Sequence, residues 1–185
     1  YLRTLGKEPK ENLTEAFKTF TLEQAAEYYR EHYGVTLSVN EIVDGVNEMV
    51  AMLYRTKVTL KDGVREFLEA LKSQGVKMCV ATVTDRPIVE DVLNRLGIRD
   101  FFFEIFTCAE VGYNKETPHI YRAALEVLGT KKDETVVFED ALHALITAKK
   151  DGFRVAAVYD RHERNQTQMK ENGDYYITDF KTVQI

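Results

Sequence analysis

The chain reads as an α/β protein: a doubly wound, Rossmann-like parallel sheet core with a small helical domain on its amino-terminal side. Three observations point there. Short apolar runs alternate with single amphipathic helices from about residue 58 onward. Residues 1 to about 57 show helical patterning and no convincing strand. The run Thr135-Val136-Val137-Phe138 ends on two adjacent carboxylates, Glu139 and Asp140, with a helical pattern directly behind it. Near-continuous apolar strands joined by single helices imply parallel pairing with both faces covered.

In the amino-terminal region, Thr21-Leu22-Glu23-Gln24 and Ser38-Val39-Asn40-Glu41 have the form of capping boxes, each opening a helix. The first helix stops near Gly34. The second carries Ile42, Val46, Met49 and Leu53 at helical spacing, widened by Val43 and Val50. So broad an apolar face packs on another element, giving a small bundle over residues 1–57. Tyr28, Tyr29, His32 and Tyr33 fit amphipathic packing more simply than ligand contact.

The core spans residues 58–185. Val64, Phe67, Leu68 and Leu71 mark a helix face that Gly75 terminates, and Val76–Ala81 reads as a buried strand. Pro87 opens a helix with Ile88, Val92, Leu93 and Leu96 inward and Gly97 as its stop. Phe102–Phe106 is a second strand. Pro118 opens a helix bearing Ile120, Tyr121, Ala124, Leu125 and Leu128, closed by Gly129. Thr135–Phe138 is the third strand and Ala141 to about Asp151 the next helix. Arg154–Tyr159 and Tyr175–Ile177 complete the strands.

Composition sets bounds. The chain has 185 residues, 44% hydrophobic and 30% charged, enough for a core without staples. A net charge of −5 with dispersed Lys and Arg offers no electrostatic reason for nucleic acid or an anionic membrane. No apolar run approaches the roughly 18 residues a spanning helix needs. Cys79 and Cys108, both in or beside apolar runs, read as free buried thiols of a reducing, cytoplasmic compartment. The first residue is Tyr, and the residues after it read as the interior of a helical region.

Three polar clusters come directly after strands and share the carboxyl edge, where open α/β sheets bind ligands. They are Thr82-Val83-Thr84-Asp85, Lys115 in the Gly112–Lys115 loop, and Glu139-Asp140. A hydroxyl and an ammonium suit a phosphoryl group, and a carboxylate pair suits Mg2+, a hard cation that prefers oxygen ligands. Plainer readings stand beside these. Asp140 could be a helix N-cap, Lys115 a solvated loop residue, and Thr82 a strand-end residue. Thr84 and Asp85 read as capping residues, and His119 and His143 as solvated or packing residues. Arg161-His162-Glu163-Arg164 reads as a surface turn.

The order Val80-Ala81-Thr82-Val83-Thr84, then Ala109 through Tyr121, then Val137-Phe138-Glu139-Asp140-Ala141, resembles the haloacid dehalogenase-like hydrolase superfamily. The likeness is to the branch holding β-phosphoglucomutase and phosphoglycolate-type phosphatases, and covers about residues 58–180. The helical segment resembles that branch's cap. The resemblance implies that Thr82 binds the transferring phosphoryl group and Lys115 stabilises it. It implies that Glu139 and Asp140 position Mg2+, with Asp140 the direct ligand, and that a cap closes over the site. The chain departs from the pattern at Glu116 (usually Pro), His119 (usually Asp) and Ala144 (often Gly).

The superfamily's Asp-x-Asp motif, whose first Asp forms the aspartyl-phosphate, has no counterpart here. That motif lies just after a central strand, so the nucleophile is expected upstream of Tyr1, and without the strand a gap is expected through the sheet. The implied activity is a Mg2+-dependent phosphatase on a small phosphorylated metabolite, as a monomer or weak homodimer. A phosphosugar mutase is the alternative within the same chemistry, and a non-catalytic phosphate- and metal-binding module the alternative outside it. A flavodoxin-like carrier lacks its Gly-rich loop, and a metal-free dehalogenase has no need of the acid pair.

Overall fold

The computed structural model describes residues 1–10, 13, 17 and 20–183. The chain divides into two units, Tyr1–Val58 and Thr59–Ile185.

In the first unit, helices α1 (Leu22–Tyr33) and α2 (Val39–Thr56) both begin with complete capping boxes, on Thr21 with Gln24 and on Ser38 with Glu41. Gly34 ends α1 in the left-handed conformation. Leu2, Ala26, Val35 and Ile42 form the buried centre, with Val43 and Val46 against it. The expected α2 stripe is buried only in its first half: Val50 and Leu53 are exposed. Gly45 explains part of the packing, because a methyl group there would collide with the Tyr1 ring. The aromatic residues of α1 pack on one another, with Tyr28 and His32 ring centres 4.1 Å apart.

The second unit carries five short parallel strands: β1 (Cys79–Thr82), β2 (Glu104–Thr107), β3 (Val136–Glu139), β4 (Arg154–Val158) and β5 (Tyr175–Ile177). Each strand is local in origin, an apolar run bounded by turn residues. The expected start of β1 moves from Val76 to Cys79, and β2 begins two residues late because Arg99–Phe101 forms a 3-10 turn. β3 runs one residue further than expected, so Glu139 is its last member rather than a loop residue.

The strands form two ladders. β1 pairs with β2, placing Thr82 beside Thr107, and β3-β4-β5 form a second sheet with β4 central. No ladder joins them among the described residues. One apolar layer nevertheless spans both. Ile120 and Tyr121 of helix α6 (His119–Leu128) and Leu145 and Ala148 of α7 (Leu142–Lys150) cluster with Val155 and Ala157. Ala81, Phe106 and Val137 pack against them. On the other side Phe67 of α3 (Val64–Ser73) meets Phe138 of β3, rings 5.6 Å apart.

The remaining helices are α4 (Arg86–Arg95), α5 (Cys108–Val111) and α8 (Gln166–Asn172). The inward face of α4 is turned slightly from expectation: Val89, Val92 and Leu93 are buried, whereas Ile88 and Leu96 are half-buried. Helix α8 is absent from the sequence reading because Gln166-Thr167-Gln168-Met169-Lys170-Glu171-Asn172 has no apolar period. Its one anchor, Met169, is wholly buried.

Gly63 enters α3 with φ +77°, and a methyl group there would lie 2.6 Å from the backbone nitrogen of Lys181. Gly129 also has positive φ, but open space surrounds it. Gly129→Ala is expected to lose about 1 kcal/mol, the left-handed strain alone. Gly63→Ala is expected to lose about 3 kcal/mol, since backbone must move as well. Urea unfolding of both variants checks the order.

Candidate active site

The carboxyl ends of β1, β2 and β3 hold the polar residues that the sequence singles out. Lys115 lies in the loop between α5 and α6. Gly112 turns the chain out of α5 at φ 78°, a conformation suited to glycine. Asn114 then shapes the loop: its Oδ1 accepts from the Glu116 N–H at 3.0 Å and its carbonyl from the Thr117 N–H at 3.3 Å. Tyr113 stacks flat on His119, ring centres 3.7 Å apart and planes within 7°. His119 Nδ1 sits 2.9 Å from Thr117 Oγ1. His119 is thus a packing residue of this loop.

The Lys115 ammonium folds inward onto Glu139. Nζ lies 2.5 Å from Oε1, with the lysine side chain 15% exposed and the glutamate 5%. Tyr121, on the inward face of α6, donates its hydroxyl to the same Oε1 at 2.8 Å. A buried carboxylate without such partners costs several kcal/mol, and these two donors offset that cost. Burial, reinforced by the Glu139 charge, pushes the Tyr121 phenol well above its ordinary range, so it stays a donor. Cys108 is also raised, by burial first, and is a poor nucleophile. Both cysteines are free thiols.

Asp140 is exposed and makes no hydrogen bond or ion pair among the described residues. Nor is it a helix cap: the N-cap of α7 is Ala141, and the Leu142 N–H is taken by Glu163 Oε2 at 3.1 Å. Glu163 also accepts from the Asn165 N–H at 2.8 Å. Burial would raise its carboxyl, but the N–H groups of Asn165 and Leu142 outweigh that and hold it below the usual range. The Arg161–Arg164 segment is therefore more than a surface turn; it braces the chain that carries Asp140.

Thr82 ends β1 half-buried, its Oγ1 accepting from the Thr84 N–H at 3.1 Å. The hydroxyl hydrogen remains available to donate. Asp85 occupies the N-cap of α4 without a side-chain cap bond. The turn between them is held instead by Arg86, which reaches the Ile105 carbonyl at 2.5 Å, Glu104 at 3.4 Å, and the Glu110 carboxylate. Arg86 holds the Glu110 carboxyl far down, at about 2. Of the residues singled out from sequence, Lys115 and Glu139 touch and Asp140 adjoins them. Thr82 stands at the same end of its strand and shares no hydrogen bond with the other three among the described residues.

The roles of Tyr121, Arg86 and Glu163 at this edge escaped the sequence reading. A phenol on an apolar helix face was a signal for the first, since a buried hydroxyl needs a partner. The other two act across 19 to 24 residues and left no local trace.

Among the described residues no three His, Cys, Asp or Glu side chains converge as a ready-made metal cage. The donors present are all oxygens: Glu139 Oε2, which has no partner among the described residues, and both oxygens of Asp140. That set suits Mg2+, which keeps several waters and takes one or two carboxylates beside substrate phosphate.

The haloacid dehalogenase-like hydrolase family matches residues 2–158. This chain belongs to that family. YhcW of Bacillus subtilis, which bears a phosphatase name, is 30% identical over 159 residues, 86% of this chain and 71% of that protein. The phosphorylated carbohydrates phosphatase of Thermotoga maritima is 31% identical over 130 residues, 66% of this chain and 60% of that protein. The chain thus spans less than two thirds of some of its curated relatives. Among solved structures, CbbY from Rhodobacter sphaeroides in complex with phosphate superposes with a TM-score of 0.73 at 25% identity, over 98% of this chain and 84% of that one. A structure from Thermotoga maritima that bears a β-phosphoglucomutase name without an assigned activity shares the fold at TM-score 0.83 and 24% identity, over 97% and 83%.

Glu110 is ionised in the fold far below its ordinary 4.5. A depressed carboxyl contributes stability above the unfolded value, lost as pH falls toward the folded one. Thermal unfolding is therefore expected to weaken between about pH 4.5 and 2 more steeply in the parental protein than in Glu110→Gln. Parallel melting curves at about pH 5, 4 and 3 measure the difference.

Proposed function

We propose that this chain carries the phosphate- and cation-handling part of a Mg2+-dependent phosphatase. Its substrate class is a small phosphorylated metabolite, cleaved in the cytoplasm through an aspartyl-phosphate. The observation that carries this reading is the Lys115–Glu139 pair seated beside an unpartnered Asp140 at one strand end. The names of the relatives, a phosphatase of phosphorylated carbohydrates among them, support the substrate class.

The residues divide the work. The Thr82 hydroxyl, already accepting from Thr84, directs its hydrogen to a phosphoryl oxygen. The Lys115 ammonium uses one N–H on Glu139 and keeps two for the anion, offsetting charge that grows during transfer. Glu139 and Asp140 would hold Mg2+, which supplies charge neutralisation at the phosphoryl oxygens when bound. Aspartyl-phosphate chemistry needs an attacking carboxylate, which none of these residues is assigned to supply. That carboxylate displaces the substrate alcohol at phosphorus, and water then releases phosphate and frees the carboxylate. Burial of Lys115 and Glu139 strengthens their electrostatics, because little water screens them.

Asp140→Ala is expected to lower kcat for p-nitrophenyl phosphate at saturating Mg2+ by about a hundredfold or more, with thermal unfolding unmoved because Asp140 is exposed. Near-parental turnover would refute its role. Lys115→Ala is expected to cost similar activity and also about 3 kcal/mol of stability, since it strands a buried carboxylate. Denaturant unfolding of that variant reads the second effect. A protein that also carries the attacking carboxylate, binds phosphate and Mg2+ and still turns nothing over would instead favour a binding module.

A further inference from the structure

The two oxygens of Glu139 are used differently. Oε1 accepts from both Lys115 Nζ at 2.5 Å and the Tyr121 hydroxyl at 2.8 Å, while Oε2 accepts from no described group. The lysine alone does not dictate this division. An ammonium is a compact charge with three rotatable donors, and it can sit equally well between two carboxylate oxygens. A phenol is different: it has one donor, at the end of a ring whose direction is set by packing. The Tyr121 ring is 3% exposed and built into the apolar layer, 6.2 Å from the Phe153 ring, so its hydroxyl meets Glu139 from a fixed side. The alternative acceptor, the Ala144 carbonyl, lies farther off at 3.5 Å.

We propose that Tyr121 is a positioning residue. It commits Oε1 of Glu139 to the lysine side and leaves Oε2 turned out as a ligand for a divalent cation shared with Asp140. The proposal rests on the reading of Glu139 and Asp140 as a cation site and adds to it the group that sets the carboxylate's orientation. Partners that orient a ligating carboxylate typically govern metal affinity by about ten- to a hundredfold. Removing the hydroxyl lets the carboxylate rotate until both oxygens face the ammonium, and the cation loses a ligand.

The test is calorimetric titration of Mn2+, an oxygen-preferring ion, into the parental protein, Tyr121→Phe, Glu139→Gln and the double variant. Tyr121→Phe is expected to weaken Mn2+ binding about tenfold. In the Glu139→Gln background the same change should have no further effect, because the hydroxyl acts only through that carboxylate. Unchanged affinity in Tyr121→Phe, or an equal loss in both backgrounds, overturns the proposal. Asp140→Ala separates the two levels of argument: if it leaves Mn2+ affinity untouched, the cation-site reading itself falls. A crystal structure of the parental protein with Mn2+ tests the idea without any variant. The ion on the carboxylate oxygen that Tyr121 and Lys115 leave free supports it, and the ion on the oxygen that accepts from Tyr121 refutes it.

Discussion

The site depends on one buried ion pair. Glu139 closes a parallel strand, at a depth where a carboxylate is stable only with charged or hydrogen-bonding company. Lys115 supplies the charge from a loop 24 residues earlier, and Tyr121 supplies a neutral donor from the helix after that loop. Buried ion pairs seldom add much net stability over apolar packing, but breaking one side is costly. The pair therefore fixes geometry more than it deepens the fold. It ties the α5–α6 loop to the end of β3, and in doing so brings an ammonium to the carboxylate that directly precedes the exposed Asp140.

The other loops of this edge are secured by the same device, one side chain reaching a neighbouring element. Arg86 ties the turn after β1 to β2 and α5. Glu163, beyond β4, takes the first N–H of α7 and so steadies the chain around Asp140. Asn114 and the Tyr113–His119 stack shape the lysine loop from within. Loops on a sheet edge have no ladder to hold them, and polar side chains with fixed partners take that role.

Much of this was legible in the sequence because it is local. Capping boxes on Thr21 and Ser38, glycine stops at Gly34, Gly97 and Gly129, and apolar runs ending in polar residues all act over a few positions. The strands and most helices came from them. Errors came where tertiary contact decides. Helix α8 exists because Met169 fills a place beside β4 and β5, not because its own residues favour a helix. The expected first residues of the β1 and β2 runs, 76–78 and 102–103, lie outside the β1–β2 ladder, joined among the described residues only by the Phe103 N–H donating to the Met78 carbonyl at 2.7 Å. At the candidate site, residue types and order singled out Thr82, Lys115, Glu139 and Asp140, of which the structure brings Lys115 and Glu139 into contact. The roles of Tyr121, Arg86 and Glu163 depend on who their neighbours are, which spacing does not encode. The N-cap reading of Asp140 failed for the same reason: a distant glutamate had taken the place.

The two ladders share no backbone hydrogen bonds among the described residues, and helix α6 is their common splint. That helix begins four residues after Lys115. An anion gripping the lysine thus pulls on the element that couples both sheets. Occupancy at one rim should quieten opening fluctuations throughout this unit, visible as slower amide exchange in β2 as well as β4, strands that carry none of the proposed ligand-contacting side chains.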